Sequence, residues 1–203
     1  LVDLDRLQSI FRSVCLDLGL KGTVLLASEG LNFYVAGPAS SIDGFVQFLE
    51  KDERFAGIGL KRSFTDYQPF NRLNVRIKKE IISVGLDNIR PADKTGPSIA
   101  PAAFKTMLDN GEFVHVLDTR NEYEMRIGTF ENAINLHLPS FRDFPAAVAE
   151  LPSSMKDEPI VMFCTGGIRC EKASAIMIEA GFTNVKQLRD GVLGLSLIHI
   201  SEP

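Results

Sequence analysis

An apolar run, Pro159-Ile160-Val161-Met162-Phe163, leads without a break into Cys164-Thr165-Gly166-Gly167-Ile168-Arg169 and then into a helical stretch from Glu171 to Ala180. A short unbroken apolar run reads as a strand buried on both faces, and a parallel sheet covered by helices provides such a place. The order strand, turn, helix commits this part of the chain to an α/β layer fold. It also sets a cysteine at the turn, two glycines that free the backbone, and an arginine that closes the loop. Backbone N–H groups in such a turn point inward and make an anion-binding nest. The N-terminal end of the next helix adds partial positive charge. A thiol held there has a depressed pKa and is a nucleophile near neutral pH. The candidate catalytic residues are therefore Cys164, Arg169 and Cys170, with Thr165, Gly166, Gly167 and Ile168 forming the anion-binding loop.

The first part of the chain is patterned differently. Leu4, Leu7, Phe11, Val14, Cys15 and Leu18 recur at helical spacing. Gly22–Ala27 and Leu31–Gly37 read as strands around Ser28-Glu29-Gly30. A second helix is expected over Ser40–Lys51, and two more strands over Gly59–Phe64 and Arg72–Ile77. The order α-β-β-α-β-β is that of a ferredoxin-like (acylphosphatase-like) α+β domain without its first strand. The chain opens on Leu1, so an upstream strand is expected to complete residues 1–86. Residues 87–101 hold Pro91, Gly96, Pro97 and Pro101 with little periodicity and read as a linker. From 102 to 193 the chain alternates. A helix at Ala102–Asn110 precedes a strand at Phe113–Leu117, which ends in Asp118-Thr119-Arg120. A helix at Phe141–Leu151, the cysteine loop with its flanking elements, and a strand at Asn184–Leu188 complete an α/β domain with a parallel sheet.

No apolar run approaches the length of a membrane span, and no secretory signal is present. Three cysteines give no disulfide framework, which suggests a reducing, cytoplasmic setting. Cys15 lies on an apolar helix face and reads as core. Cys170 has two even readings, a resolving partner for Cys164 or a packed core residue. Metal binding by the pair is not expected, because no Cys-x2-Cys or nearby histidine supplies further ligands. Asp118 and Arg120 support the loop, and a structural ion pair is favoured over a catalytic role. His115, in an apolar strand, reads as a satisfied core residue. The net charge of −4 argues against wholesale nucleic-acid affinity but leaves room for a local basic patch. In Arg72–Lys78, Leu73, Val75 and Ile77 face one side and Arg72, Asn74, Arg76 and Lys78 the other. Lys61 and Arg62 fall on the preceding expected strand. From the residues alone, a solvated sheet face is the better reading.

Cys-x4-Arg between strand and helix resembles the active loop of rhodanese-type sulfurtransferases. Asp118-Thr119-Arg120, Glu122-Tyr123-Glu124 and Ile127 to Ala133 resemble that fold's other signature. The extended loop from Cys164 to Ser174, together with Ser140–Pro145, Lys21–Asn32 and Val75–Ile81, is similar to the rhodanese-like tRNA uridine hydroxylases. The resemblance implies oxygen-dependent hydroxylation of a wobble uridine to 5-hydroxyuridine, with dioxygen as co-substrate and the tRNA anticodon arm as partner; the chain itself shows no recognised flavin, haem or iron motif. Under it, Lys61, Arg62, Arg72, Arg76 and Lys78 become candidate contacts to the tRNA backbone, and Phe64, Tyr67 and Phe70 candidate stacking residues. Two other readings stand beside it. One is a sulfurtransferase carrying a persulfide on Cys164. The other is a non-catalytic binding module, against which the intact cysteine argues. Beyond Gly191 the family pattern breaks. Gly194–Pro203 looks like translated adapter sequence on a truncated frame. It is expected to be a non-native tail in which His199 and Glu202 carry no function, on a weakened C-terminal domain.

Overall fold

A computed structural model describes residues 1–86 and 88–199, the last four as backbone, and divides the chain into two compact units, Leu1–Ile81 and Ile82–Pro203. In the first unit the 3.6-residue spacing of Leu7, Phe11 and Cys15 gives helix α1 (Leu4–Asp17) one buried stripe. Strands β1 (Lys21–Ala27) and β2 (Gly30–Ala36) form a tight antiparallel hairpin, paired from Lys21↔Ala36 to Ala27↔Gly30. Helix α2 (Ala39–Glu50) follows, and β3 (Leu73–Ile77) pairs in parallel with β1, giving the order β2-β1-β3. Period-two alternation turns Val24, Leu26, Leu31, Phe33 and Val75 toward the helices. Their core centres on Phe11, which meets Phe48, Phe55 and Phe45 edge-on at 5.2, 5.5 and 6.2 Å. Edge-to-face pairs add about 0.5–1.5 kcal/mol each beyond burial. The layering is the expected α+β one, with both helices on a single face of the sheet.

The strand expected at Gly59–Phe64 does not form. The segment is exposed coil, with Phe64 91% accessible. A strand's backbone groups need a ladder to bond to, and the edges of the three-stranded sheet do not receive this segment. The last strand begins at Leu73 rather than Arg72, although the Arg72 carbonyl still accepts from Gly22 N at 3.0 Å.

The second unit holds five parallel strands in the order β4-β8-β7-β5-β6. In chain order these are β4 (Ser98–Ile99), α3 (Pro101–Asp109), β5 (His115–Asp118), α4 (Glu122–Met125), β6 (Ile134–Asn135), α5 (Phe144–Ala149), β7 (Ile160–Phe163), α6 (Ile168–Glu179), β8 (Val185–Leu188) and α7 (Gly191–His199). Central β7 is buried at all four positions, as its unbroken apolar run requires. Ile160 and Met162 pack with Phe144, Val148, Ile176 and Met177 on one side. Val161 and Phe163 pack with Phe104, Val192 and Leu195 on the other.

One expectation is corrected in this unit. The stretch read as a linker, 87–101, joins the sheet at its end: Ser98 and Ile99 pair with Gln187 and Leu188. Gly96 N donates to Ser174 Oγ at 3.0 Å, and its carbonyl accepts from Gln187 Nε2 at 2.7 Å. Those bonds are all long-range, so the local composition of Pro and Gly hid them. In the stretch read as a foreign tail, the backbone is helical through His199, and Leu195 packs on the core. The readings of the His199 side chain and of Glu202 fall outside the described residues.

Phe11→Ala should destabilise the first unit by about 3–5 kcal/mol, the cost of emptying a buried aromatic site. Faster hydrogen exchange of the β1 amides, with β7 amides unchanged, is the expected readout.

Candidate active site

Strand β7 ends at Phe163, and Cys164 is the first residue beyond its carboxyl end, where parallel α/β sheets place their ligands. Neighbouring β5 ends in Asp118, and Thr119 fastens the two strand ends together. Its N–H and its hydroxyl both donate to the Phe163 carbonyl, at 3.0 and 2.9 Å. The loop turns into α6 through Gly167 at φ +94°, a conformation glycine adopts without strain. A second glycine closes the loop from behind. A Cβ at Gly191 would stand 2.2 Å from the Cys164 carbonyl oxygen. Only with that side chain absent can α7 start against the loop, where Val192 N donates to Cys164 O at 2.9 Å. Sequence reading did not single out Gly191 as part of the site.

The thiol is fully buried, and Gly167 N donates to Cys164 Sγ at 3.0 Å. A hydrogen bond from Cys170 lowers its pKa most. Burial opposes this, and the Arg169 charge with loop N–H groups completes the lowering to about 6. Cys170, also fully buried, moves the other way: burial first, then the Cys164 thiolate beside it, push it well up. Thr119 Oγ1 lies 3.8 Å from Cys170 Sγ. Cys170 is thus the proton-bearing donor and Cys164 the thiolate. Cys15 lies in the other unit's core, where burial raises it to about 11.

The Arg169 guanidinium does not hold the thiolate directly. Its Nη1 and Nη2 bond the two oxygens of Glu124 at 2.6 Å each, and Nη2 reaches Thr165 Oγ1 at 3.1 Å. Thr165 Oγ1 donates to Glu124 Oε1 at 2.6 Å. Burial alone would raise Glu124, but the bonds from Arg169 and Thr165 outweigh it and hold the carboxyl at about 2. Glu124 was not among the candidates, although it left a signal. Asn121-x-x-Glu124 is a capping-box spacing, and Glu124 Oε2 does accept from Asn121 N at 3.2 Å at the start of α4.

Asp118 and Arg120 form the structural pair. Asp118, fully buried, accepts from Arg120 Nη2 at 2.7 Å, from Arg120 N at 2.9 Å and from Thr129 Oγ1 at 2.9 Å. Arg120 also donates to the Gly128 carbonyl at 2.6 Å and lies over the Phe163 ring. His115 is half-buried and bonds Glu158 through Nε2 at 2.5 Å. An apolar cleft of about 500 Å³ is lined by Phe104, Leu108, Ile127, Phe130, Val192 and Leu195 among others, and Cys164 is not on its wall. No group of three or more metal-ligating side chains occurs among the described residues.

The basic candidates all lie in the first unit and are exposed. Lys61 and Arg62 sit in coil, and Arg62 bonds Asp43 at 2.7 Å. Arg72, Arg76 and Lys78 sit on or beside β3. Phe64 and Tyr67 are exposed, whereas Phe70 is half-buried.

Comparison with known proteins matches residues 1–81 to the UPF0176 acylphosphatase-like domain and residues 100–196 to the rhodanese-like domain. A protein of Cupriavidus necator named tRNA uridine(34) hydroxylase is 46% identical over 196 residues, covering 94% of this chain and 70% of its own length. Proteins of the same name from Ralstonia nicotianae and Delftia acidovorans are 45% and 42% identical, covering 94% and 87% of this chain and 70% and 69% of their own lengths.

Thiolate absorbance followed against pH should show one cysteine ionising near pH 6, with Cys15 and Cys170 silent until far higher. Cys170→Ala removes the main donor and should move that step upward. A first step at the ordinary thiol value of about 8.5 in the unaltered chain would contradict the geometry.

Proposed function

The chain belongs to the family of tRNA uridine(34) hydroxylases, and on that premise we propose that it oxidises the wobble uridine of tRNA to 5-hydroxyuridine at the Cys164 loop. The observation that carries the reading is the buried Cys164 sulfur accepting the Gly167 N–H at 3.0 Å at the head of α6, in surroundings that lower its pKa to about 6. Chemistry on the edge of a base needs the base out of its stack, so the anticodon arm is the part of tRNA that must enter, with its uridine flipped. The Cys164 thiolate then adds to C6 of the ring. The S–C6 bond forms, and the C5–C6 π pair moves onto C5 and the O4 carbonyl. C5 becomes the electron-rich carbon that takes one atom of dioxygen, and the other atom leaves as water with two electrons and two protons from a reductant. Loss of the C5 proton then expels the Cys164 thiolate from C6 and restores the C5–C6 double bond. Dioxygen is the co-substrate in this proposal, and the cytoplasm its setting. Among the described residues no helix is long and apolar enough to cross a membrane.

The engaged state of Arg169 bears on the sulfur-transfer alternative. An arginine meant to hold an anionic sulfur donor would keep its donor fork open. Here both guanidinium termini are bonded to Glu124. A neutral uracil makes no demand on that cation, so the arrangement favours the hydroxylase reading.

Unmodified tRNA incubated in air with the full chain, digested and analysed by nucleoside mass spectrometry, should show a uridine heavier by one oxygen. Cys164→Ser should abolish the gain. A folded, tRNA-binding chain that adds no oxygen would turn the assignment toward sulfur transfer, with persulfide trapping on Cys164 as the deciding readout.

A further inference from the structure

Both helices of the first unit cover one face of its sheet, and the other face carries a distinct set of residues. Alternation from the core positions Val24, Leu26, Phe33 and Val75 assigns to that helix-free face Lys21, Thr23 and Leu25 on β1, Asn32 and Tyr34 on β2, and Asn74 and Arg76 on β3. Arg72 and Lys78 flank β3 in the same phase. The pairing fixes two rows across the sheet: Tyr34, Thr23, Asn74 and then Asn32, Leu25, Arg76. Tyr34 is 58% accessible, a large aromatic standing on the sheet face that neither α1 nor α2 covers. Lys21, Arg72, Arg76 and Lys78 are all exposed, and this face carries no acidic residue at any of these positions. In a chain of net charge −4, that sorting of charge is a local feature with a local use. Arg62, by contrast, is neutralised by Asp43.

We propose that this face, with Tyr34 on the edge strand β2 and the cations Lys21, Arg72, Arg76 and Lys78 on or beside β1 and β3, is a platform for unpaired nucleotides of the tRNA anticodon loop. The inference rests on the tRNA reading above and adds the surface and the mode of contact. An aromatic ring on an open sheet stacks on a splayed base, and amide side chains such as Asn32 and Asn74 bond base edges. The cations follow the backbone phosphates. Charge complementarity selects a polyanion. The ring selects an unpaired strand over a duplex, because a duplex buries its base faces in its own stack. The exposed Phe64 and Tyr67 sit in coil outside the strands and are not needed for it.

Fluorescence anisotropy of the full chain with a labelled, unmodified anticodon stem-loop, and with a blunt RNA duplex of equal length, tests the proposal. Tyr34→Ala should weaken stem-loop binding about 5- to 160-fold, the range for loss of one base–aromatic stack, and leave duplex binding unchanged. Tyr34→Phe keeps the ring and should bind like the unaltered chain. The double variant Arg76→Gln, Lys78→Gln should lower the slope of log affinity against log salt by ~1.4. Unchanged stem-loop affinity in Tyr34→Ala, an equal loss on the duplex, or no RNA binding by the unaltered chain overturns the platform. Nucleoside mass spectrometry on the same samples separates the two claims. Full hydroxylation by Tyr34→Ala with unchanged affinity removes the platform alone. No hydroxylation by an unaltered chain that binds the stem-loop through Tyr34 removes the activity alone.

Discussion

The bidentate pair between Glu124 and Arg169, with both bonds at 2.6 Å, is the interaction around which the cysteine loop is arranged. It joins two elements 45 residues apart, the short helix α4 after β5 and the first turn of α6 after β7. The same carboxylate takes the Thr165 hydroxyl and the Asn121 amide, so one side chain fixes the cation, one wall of the loop and the start of a helix. Largely removed from water, the pair is the kind of arrangement in which each partner needs the other.

Its consequence is a division of labour among the charges of the loop. Arg169 is pinned, so it lowers the Cys164 pKa through space, while Cys170 and the loop amides do so by direct hydrogen bonds. Cys170 is raised by burial and by its neighbour's charge, which keeps its proton available for that bond. Two thiols of the same intrinsic acidity are thereby split into an anion and a donor by their surroundings, as catalytic pairs often are. The buried Asp118–Arg120 pair lies behind this, fastened by Thr129 and Gly128, and holds the end of β5 in place.

Much of this was legible in the sequence because it is local and periodic. The stripe of α1, the β1–β2 hairpin, the unbroken apolar β7 and the cysteine turn each announce themselves within a dozen residues. What was hidden depends on partners far along the chain. Strand β4 is two residues long and exists because β8 has an edge to receive it. Gly59–Phe64 reads as a strand and finds no edge. Gly191 is required by the Cys164 carbonyl at its back, which no local pattern reports. Glu124 could be read as a cap but not as the partner of Arg169. The alternation of β3 was legible, yet Tyr34 joins its basic face only through the pairing of β1 with both neighbours.

The central claim is that a pre-formed Cys164 thiolate does the chemistry. The most direct test is the rate of 5-hydroxyuridine formation in a single turnover on saturating tRNA, followed across pH. The account predicts a rate that rises through about pH 6, where Cys164 ionises, and is flat above it. A rate that keeps climbing through the ordinary thiol range, or one that survives Cys164→Ser, would contradict it.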